Sequence, residues 1–139
     1  MITSPAQRLR VLPLEFTVEH LPSGQPAADS SWWAMVRAPE GLTVVREAPP
    51  ETAAGEGGPG PRERWTGLYG DTAHGLDVPG MLTAVIAPLA ATGVPVFVHS
   101  TFHSDLVLVP RARRADAFAA LRAAGHEVDD ELSGESPTA

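Results

Sequence analysis

The chain has 139 residues, 43% of them hydrophobic and 19% charged, and its formal net charge is -7. This length and hydrophobic fraction suit one compact domain, or two half-domains that share a core. The acidic balance and the lack of a basic stripe argue against nucleic acid as a partner. Cysteine is absent, which excludes disulfides, thiolate catalysis and cysteine-based zinc sites.

The sequence shows no targeting or membrane-spanning segment. Its first residues lack the long apolar region of a signal peptide. No apolar run reaches the roughly 18 residues that a spanning helix needs. We therefore expect a cytoplasmic protein with no membrane partner. All its cationic residues are arginine, a bias typical of bacterial genomes rich in G and C.

Residues 1–47 read as a β-rich module of three strands after a frayed start at residues 1–8. Residues 14–18 alternate, with Leu14, Phe16 and Val18 on one face. Pro13 favours a strand that begins at or just after it, or one that lies at a sheet edge. A Pro-Glu-Gly turn at residues 39–41 predicts a hairpin. Because Trp32 and Trp33 are neighbours, they would face opposite sides, with one of them in the core.

Residues 48–64 are rich in proline and glycine and poor in apolar side chains, which indicates a flexible linker. This stretch contains a G-x-G-x-x-G spacing, but no strand precedes it and no helix follows it, so it is a poor candidate for a dinucleotide loop. Residues 133–139 resemble a disordered tail.

Residues 65–132 alternate strands and helices in the order βαββαβ. The predicted strands are 65–70, 95–99, 105–109 and 126–132, and the predicted helices are 76–92 and 111–124. With right-handed crossovers this order gives a ferredoxin-like α+β sandwich. The first 47 residues cannot easily form a two-layer core of their own, so they would extend or cover its sheet.

The predicted helices carry local signals at their ends and along their buried faces. Asp77 is a candidate N-cap, and Gly93 and Gly125 are candidate stops. Pro88 should kink the first helix. Apolar residues at helical spacing predict buried stripes, formed by Leu82, Val85, Ile86 and Leu89 in the first helix and by Ala115, Phe118 and Leu121 in the second.

The βαββαβ topology brings the loop into the first helix beside the hairpin between the second and third strands. That end of the sheet collects polar side chains, namely Asp71, Thr72, His74, Asp77, Ser100, Thr101, His103 and Asp105. The unpaired N–H groups and positive dipole end of the helix suit a carboxylate. Neighbouring acidic residues suit an ammonium group, so the arrangement favours a free amino acid as ligand.

Two segments resemble small bacterial ACT-domain proteins related to the eukaryotic arginine sensors. They are LRVLPLEF near the start and residues 77–110, which include GMLTAVIAPLAATGV and STFHSDLVLV. The resemblance implies a ferredoxin-like regulatory module that binds an amino acid, preceded here by a partial ACT-like module. It departs from the family at His103, where Asp is frequent, and at His99, where an aliphatic residue is usual.

Carried onto this chain, the family's site implies a pocket formed by the loop into the helix and by the hairpin. Its lining would be Asp77, Val78, Gly80, Met81, Ser100, Thr101, Phe102 and Asp105. No cofactor is expected. A homodimer that pairs sheet edges is a plausible assembly, because a ferredoxin-like sheet has an open edge.

Other interpretations stay open from the residues alone. Asp105 could cap the backbone of its own hairpin, and Asp77 could serve the helix alone. His74, His99, His103 and Asp105 could form a metal site, and His103 with Asp105 could act in acid–base catalysis. No nucleophile motif accompanies them, so we expect a protein that is not an enzyme. The main alternative is a structural or interaction module without a ligand.

Overall fold

The computed structural model describes residues 6–26, 29–50, 63–70 and 80–130. The predicted tail at 133–139 and most of the predicted linker lie outside these ranges. The described elements, in chain order, are β1 (Arg8–Leu21), β2 (Trp32–Ala38), β3 (Gly41–Glu47), β4 (Trp65–Gly70), α1 (Met81–Ala91), β5 (Phe97–Ser100), β6 (Asp105–Pro110), a 3-10 turn (Arg111–Arg113), α2 (Arg114–Ala123) and β7 (Glu127–Asp129). They make a mixed α+β structure with two helices. The chain divides into two compact units, residues 14–65 and residues 1–13 with 66–139.

The unit of residues 14–65 holds an antiparallel sheet in the strand order β2-β3-β1. The predicted hairpin is confirmed, since Ala38 pairs with Gly41 across a two-residue turn. Gly41 has φ of 131°, and a Cβ there would come within 2.5 Å of the carbonyl oxygen of Leu21. Only glycine fits this position without strain.

Strand β1 begins at Arg8 rather than at Pro13, so the predicted strand start is wrong. Pro13 is tolerated because it lies between the stretch paired with β7, residues 8–10, and the stretch paired with β3, residues 16–21. The predicted frayed start is also wrong at Gln7, which is buried and donates its backbone N–H to His126.

Neither Trp32 nor Trp33 lies in a core, contrary to the prediction. The two side chains are 41% and 42% exposed. The pairing of β2 with β3 shifts between Trp32 and Ala34, and this bulge breaks the alternation on which the prediction relied. Trp33 packs edge to face against the buried ring of Phe16, with 5.1 Å between centroids, and donates its indole N–H to Glu47.

The other unit contains both helices and strands in the order β1-β4-β6-β5, with β7 paired to β1. Alternate residues of β1, β4 and β6 join the helices in one core. Its members are Leu9, Val11, Leu68, Val85, Leu89, Val94, Val107, Val109, Ala117, Phe118, Leu121 and Val128. The apolar stripe of α1 is confirmed. In α2, Phe118 and Leu121 are buried as predicted, but Ala115 is exposed, and Ala117 is buried in its place.

The predicted βαββαβ order of elements is present, but the ferredoxin-like layout is not confirmed. That layout places the last strand beside the first strand of the module, here β7 beside β4. Instead β7 runs parallel to β1 over residues 127–129 and 8–10, and β1 is the neighbour of β4. Residues 8–13 of β1, which the prediction left out of the strand, belong to the strand that lies beside β4 instead of β7.

Both helices end in a Schellman motif with glycine in the left-handed region. After α1, Gly93 has φ of 78°, and the N–H of Val94 bonds to the carbonyl of Leu89. After α2, Gly125 has φ of 99°. The predicted stops at both glycines are therefore confirmed. The helix α1 begins at Met81 with Gly80 as its N-cap residue. The predicted cap Asp77 lies outside the described residues.

Candidate ligand site at the end of the sheet

One part of the predicted pocket would be formed by the backbone of the first turn of α1. Gly80 has φ of 83° and is exposed, and a Cβ there would meet no atom within 4 Å. The first intrahelical bond runs from the N–H of Ala84 to the carbonyl of Gly80. The N–H groups of residues 81–83 precede that bond and have no intrahelical acceptor, which makes the turn suitable for an anion. No acidic side chain occupies this turn.

The other described part of the predicted pocket is the hairpin between β5 and β6. Ser100 and Asp105 are directly paired across its base. The hydroxyl of Ser100 donates to Oδ1 of Asp105 at 2.7 Å. Asp105 is half-buried. This bond holds the carboxylate in one orientation, and a carboxylate accepts several further hydrogen bonds. The arrangement is compatible with an ammonium group on the same oxygens.

Thr101 organises the turn of this hairpin. Its backbone N–H donates to the carbonyl of Ser104 at 2.7 Å. Its Oγ1 accepts the backbone N–H of Ser104 at 3.0 Å and that of His103 at 3.3 Å. The hydroxyl of Tyr69 lies 2.8 Å from the same oxygen. Because the protein itself uses Oγ1 this fully, the geometry favours a turn-fixing role for Thr101 over a direct contact with a ligand.

Phe102 projects from the tip of the hairpin and is 74% exposed. Its ring meets the imidazole of His103 edge to face, with 5.0 Å between centroids. The side chain is therefore not part of a core, and its place in the lining of the pocket stays a prediction. An aromatic ring held at the rim of a site can shield bound ligand from water.

Gln7 links the two parts of the site. Its side-chain Nε2 donates to the carbonyl of Met81 at 2.6 Å. Gly70 has no Cβ. A Cβ added there would lie 3.9 Å from Oε1 of Gln7 and would clash with Oγ of Ser104. Gly70, at the end of β4, therefore lies close both to Gln7, which bonds to the first turn of α1, and to Ser104 of the hairpin.

Sequence reasoning missed four residues of this cluster, Gln7, Tyr69, Gly70 and Ser104. Gln7 precedes any periodic pattern, so it carried no signal. Gly70 carried a weak one, because a glycine at the end of a strand indicates close approach of another segment. A side chain at Gly70 would clash with Ser104. The predicted pocket residues Asp77 and Val78, and the nearby Asp71, Thr72 and His74, lie outside the described residues.

The histidines do not assemble into a metal centre in the part of the chain that the structure describes. Among those residues, no three His, Asp or Glu side chains come together. His99 is half-buried on β5, opposite Leu106, and burial lowers its pKa from 6.5. Its Nε2 is buried and finds no hydrogen-bond partner among the described atoms. His74, the remaining predicted ligand, lies in an undescribed range.

The chain is similar to a known domain family over its second half. A sequence model of the ACT domain matches residues 62–123. This range includes both the loop into α1 and the hairpin of β5 and β6, and it supports an ACT-domain protein. ACT domains are generally regulatory rather than catalytic. The link to the eukaryotic arginine sensors is not shown.

Two solved structures share the fold. The crystal structure of protein Atu0741 from Agobacterium tumefaciens has a TM-score of 0.74 and 21% identity, and the match covers 91% of this chain and 95% of that one. That of VC0802 from Vibrio cholerae, described as a possible transport protein of unknown function, has a TM-score of 0.64 and 22% identity over 81% and 85%. No curated protein matches the sequence. No helix within the described ranges is long and apolar enough to cross a membrane.

Proposed function

We propose that this protein is a regulatory sensor that reversibly binds a small amino acid at the end of the sheet described above. The observation that carries the proposal is the ACT-domain match over residues 62–123. ACT domains commonly bind amino acids, and both segments of the candidate site fall inside the match. We also propose that residues 65–132 form an ACT module that keeps the ferredoxin-like βαββαβ order of elements, with β1 rather than β7 beside β4, and that a partial module at residues 1–47 precedes it.

The two ends of a zwitterion would be held by different elements. The carboxylate would accept N–H bonds from the first turn of α1, at Gly80 and Met81, where the helix dipole is positive. The ammonium group would donate to Asp105, with Asp77 as a second acceptor. Ser100 supports this proposal because its hydroxyl holds Oδ1 of Asp105 at 2.7 Å.

The remaining predicted pocket residues would shape the site around the ligand's side chain. Phe102, which is 74% exposed, would lie over the ligand and lose exposure when the ligand binds. Thr101 would keep the hairpin in the conformation that presents Phe102. Val78 and Met81 would line the apolar part.

The first experiment measures thermal stability against each of the twenty amino acids. A ligand present at 100 times its dissociation constant stabilises the folded state by about 2.7 kcal/mol. For a chain of this size the melting temperature should rise by roughly 5–10 °C. We expect such a shift with one or a few amino acids in the wild type, and its loss in Asp105→Ala.

Two further variants sharpen this test. Asp105→Asn keeps an acceptor for the Ser100 hydroxyl and removes only the charge, so it should also lose the shift. Asp129→Asn changes an exposed aspartate on β7, and this control should keep the ligand-induced rise in melting temperature. If no amino acid at millimolar concentration stabilises the wild type, the sensor proposal is wrong. If Asp105→Asn binds as the wild type does, Asp105 is not the ammonium partner.

A second candidate function, an interaction module, is favoured by the exposed apolar residues of β2. This strand ends the order β2-β3-β1, and Trp32, Trp33 and Val36 are each more than 40% exposed. On β3, Arg46 lies opposite Trp32 and Leu42 lies opposite Arg37. Residues 42 and 46 are four apart and point to the same face of the sheet, so Trp32 and Arg37 share that face. An antiparallel second copy of β2, paired so that Arg37 of one copy lies opposite Trp32 of the other, would bring the guanidinium against the indole. The occupant we propose is a second copy of this chain.

A further inference from the structure

Pro88 leaves one carbonyl group of α1 without its usual hydrogen-bond donor. It lies in the helix interior and has no N–H, so the carbonyl of Ala84, four residues earlier, loses its standard donor. Ala84 is 5% exposed, so bulk water is a poor substitute. A buried carbonyl without a donor is costly. The helix nevertheless continues to Ala91.

His126 supplies a donor from outside the helix. Its Nε2 lies 2.7 Å from the carbonyl oxygen of Ala84. The Schellman motif after α2 places it there, because Gly125 adopts φ of 99° and the His126 N–H bonds to Leu121. His126 is 5% exposed, so this hydrogen bond is shielded from water.

The second ring nitrogen of His126 fixes the tautomer. The backbone N–H of Gln7 donates to Nδ1 at 3.0 Å, so Nδ1 is an acceptor. A carbonyl only accepts, so Nε2 must carry the proton that reaches Ala84. The two contacts together select the neutral Nε2–H form of the imidazole. His126 therefore joins the segment before β1 to the second turn of α1.

Gln7 holds the same helix one turn earlier. Its side-chain Nε2 donates to the carbonyl of Met81 at 2.6 Å, and its own carbonyl accepts the N–H of Glu127 at 2.9 Å. Met81 directly follows the N-cap residue Gly80. Gln7 and His126, here called the α1 clamp, thus bond to carbonyls in the first two turns of α1.

We infer that the α1 clamp positions the ligand-binding end of α1. The inference rests on the proposed function, in which N–H groups at the start of α1, those of Gly80 and Met81, receive the carboxylate. Those groups move with the carbonyls of Met81 and Ala84, because one helical turn is rigid over this distance. Fixing the two carbonyls therefore fixes the donors relative to the start of β1, a strand of the same sheet as the hairpin with Asp105. Gln7 and His126 act through the helix and touch no ligand themselves.

The first test needs no ligand and uses the exchange of the Ala84 amide hydrogen, which bonds to Gly80. In His126→Leu we expect this amide to exchange about tenfold faster than in the wild type. His126→Asn, which keeps an acceptor for Gln7 but reaches no donor to Ala84, should show the same acceleration. It replaces the leucine variant if that protein does not fold.

Adding Pro88→Ala gives the decisive comparison. Residue 88 then has an N–H that donates to Ala84 within the helix, so exchange in the His126→Leu, Pro88→Ala double variant should return to within about threefold of the wild type. If His126 only fills space, Pro88→Ala will not rescue the His126 variants. That result would overturn the α1 clamp.

The second test measures affinity for whichever of the twenty amino acids stabilises the wild type, by titration calorimetry. Gln7→Met should weaken binding by about fivefold or more, and Gln25→Met, which changes an exposed glutamine, should not. Unchanged affinity in Gln7→Met and His126→Leu would overturn the positioning role and leave the sensor function standing. A wild type that binds none of the twenty would overturn the sensor function, and amide exchange would then decide the clamp by itself.

Discussion

At the scale of single residues, His99 shows how burial affects a titratable side chain. Its Nε2 is buried and has no hydrogen-bond partner in the described part of the chain. Burial lowers the pKa of His99 from 6.5, because the charged imidazolium would lose its hydration. The folded protein therefore binds this proton less readily than the unfolded chain does.

We predict that this difference makes folding stability depend on pH. The contribution of His99 is fully present above about 6.5, the unfolded-state pKa, and is lost as the pH falls from there through the lower folded-state pKa. Between pH 7.5 and 4.5, the free energy of unfolding measured in urea should fall less steeply in His99→Leu than in the wild type. His103→Gln, which changes an exposed histidine, should follow the wild type. Parallel curves for the wild type and His99→Leu would contradict the prediction.

The two tryptophans show why some residue positions were unpredictable. Alternation along a strand assigns faces only where the strand is regular, and the bulge between Trp32 and Ala34 shifts the pattern by one residue. A bulge of this kind leaves no mark in the composition of WWAMV. Gly41 was different, because the turn signal at residues 39–41 named it in advance.

At the scale of elements, the hairpin of β5 and β6 depends on one hydroxyl. Thr101 Oγ1 accepts the N–H groups of Ser104 and His103 and meets the hydroxyl of Tyr69. Side chains of this type stabilise tight turns by taking the place of a backbone acceptor. The conformation of the turn, and with it the placement of Phe102, follows from this residue.

Replacing that hydroxyl gives the prediction for the hairpin. Thr101→Val keeps the branched shape and removes the hydroxyl, so the free energy of unfolding should fall by about 1–2 kcal/mol. The Ser104 amide hydrogen should also exchange faster. Thr101→Ser keeps the hydroxyl and should retain most of the stability. Urea unfolding measures the free energy change, and amide exchange measures the Ser104 rate. If Thr101→Val and Thr101→Ser lose the same free energy of unfolding, the Thr101 hydroxyl does not stabilise the hairpin.

Element ends were predictable where glycine marked them. Gly93 and Gly125 were identified as stops because few other residues adopt the left-handed conformation after a helix. Pro88 was identified as a disturbance, but its compensation was not, since the donor to Ala84 comes from His126, 42 residues away in sequence. Hydrogen bonds between distant segments have no signature in local periodicity.

At the scale of the whole molecule, the exposed strand β2 leads to a prediction about assembly. If β2 pairs with a second copy, sedimentation velocity should show a concentration-dependent dimer. Trp32→Ser should weaken that dimer at least tenfold, about 1.4 kcal/mol or more, because a desolvated indole at an interface contributes strongly. Val36→Lys should act in the same direction by placing a charge on the strand.

Phe97→Ser gives the matched control, since Phe97 is also partly exposed and lies on β5, the last strand in the order β1-β4-β6-β5. It should leave the dimer intact. A monomer at every concentration up to several hundred micromolar, or a dimer lost only in Phe97→Ser, would show that β2 is not the interface.

The fold class and order of elements were predictable from periodicity and from the resemblance of two segments to ACT-domain proteins. The sheet order was not. The prediction placed the start of β1 at or just after Pro13, whereas residues 8–10 already pair with β7. Residues 8–11 do alternate polar and apolar side chains, which is a strand signal, but the prediction gave more weight to Pro13 and placed the strand start there. The position of the hairpin beside the loop into α1 was argued from topology, while the hydrogen bond from Gln7 to the first turn of α1 was not foreseen.

The ends of the unit of residues 14–65 lie together. Nε of Arg64 is 2.6 Å from Oε1 of Glu15, the N–H of Ala48 donates to the Glu15 carbonyl, and Arg64 also bonds to the carbonyl of Pro49. The chain thus enters and leaves this unit at one point. In evolutionary terms, that is the geometry of an insertion, a segment that recombination can add, exchange or remove without a new connection elsewhere. Related chains are expected to vary most in length and sequence within this segment.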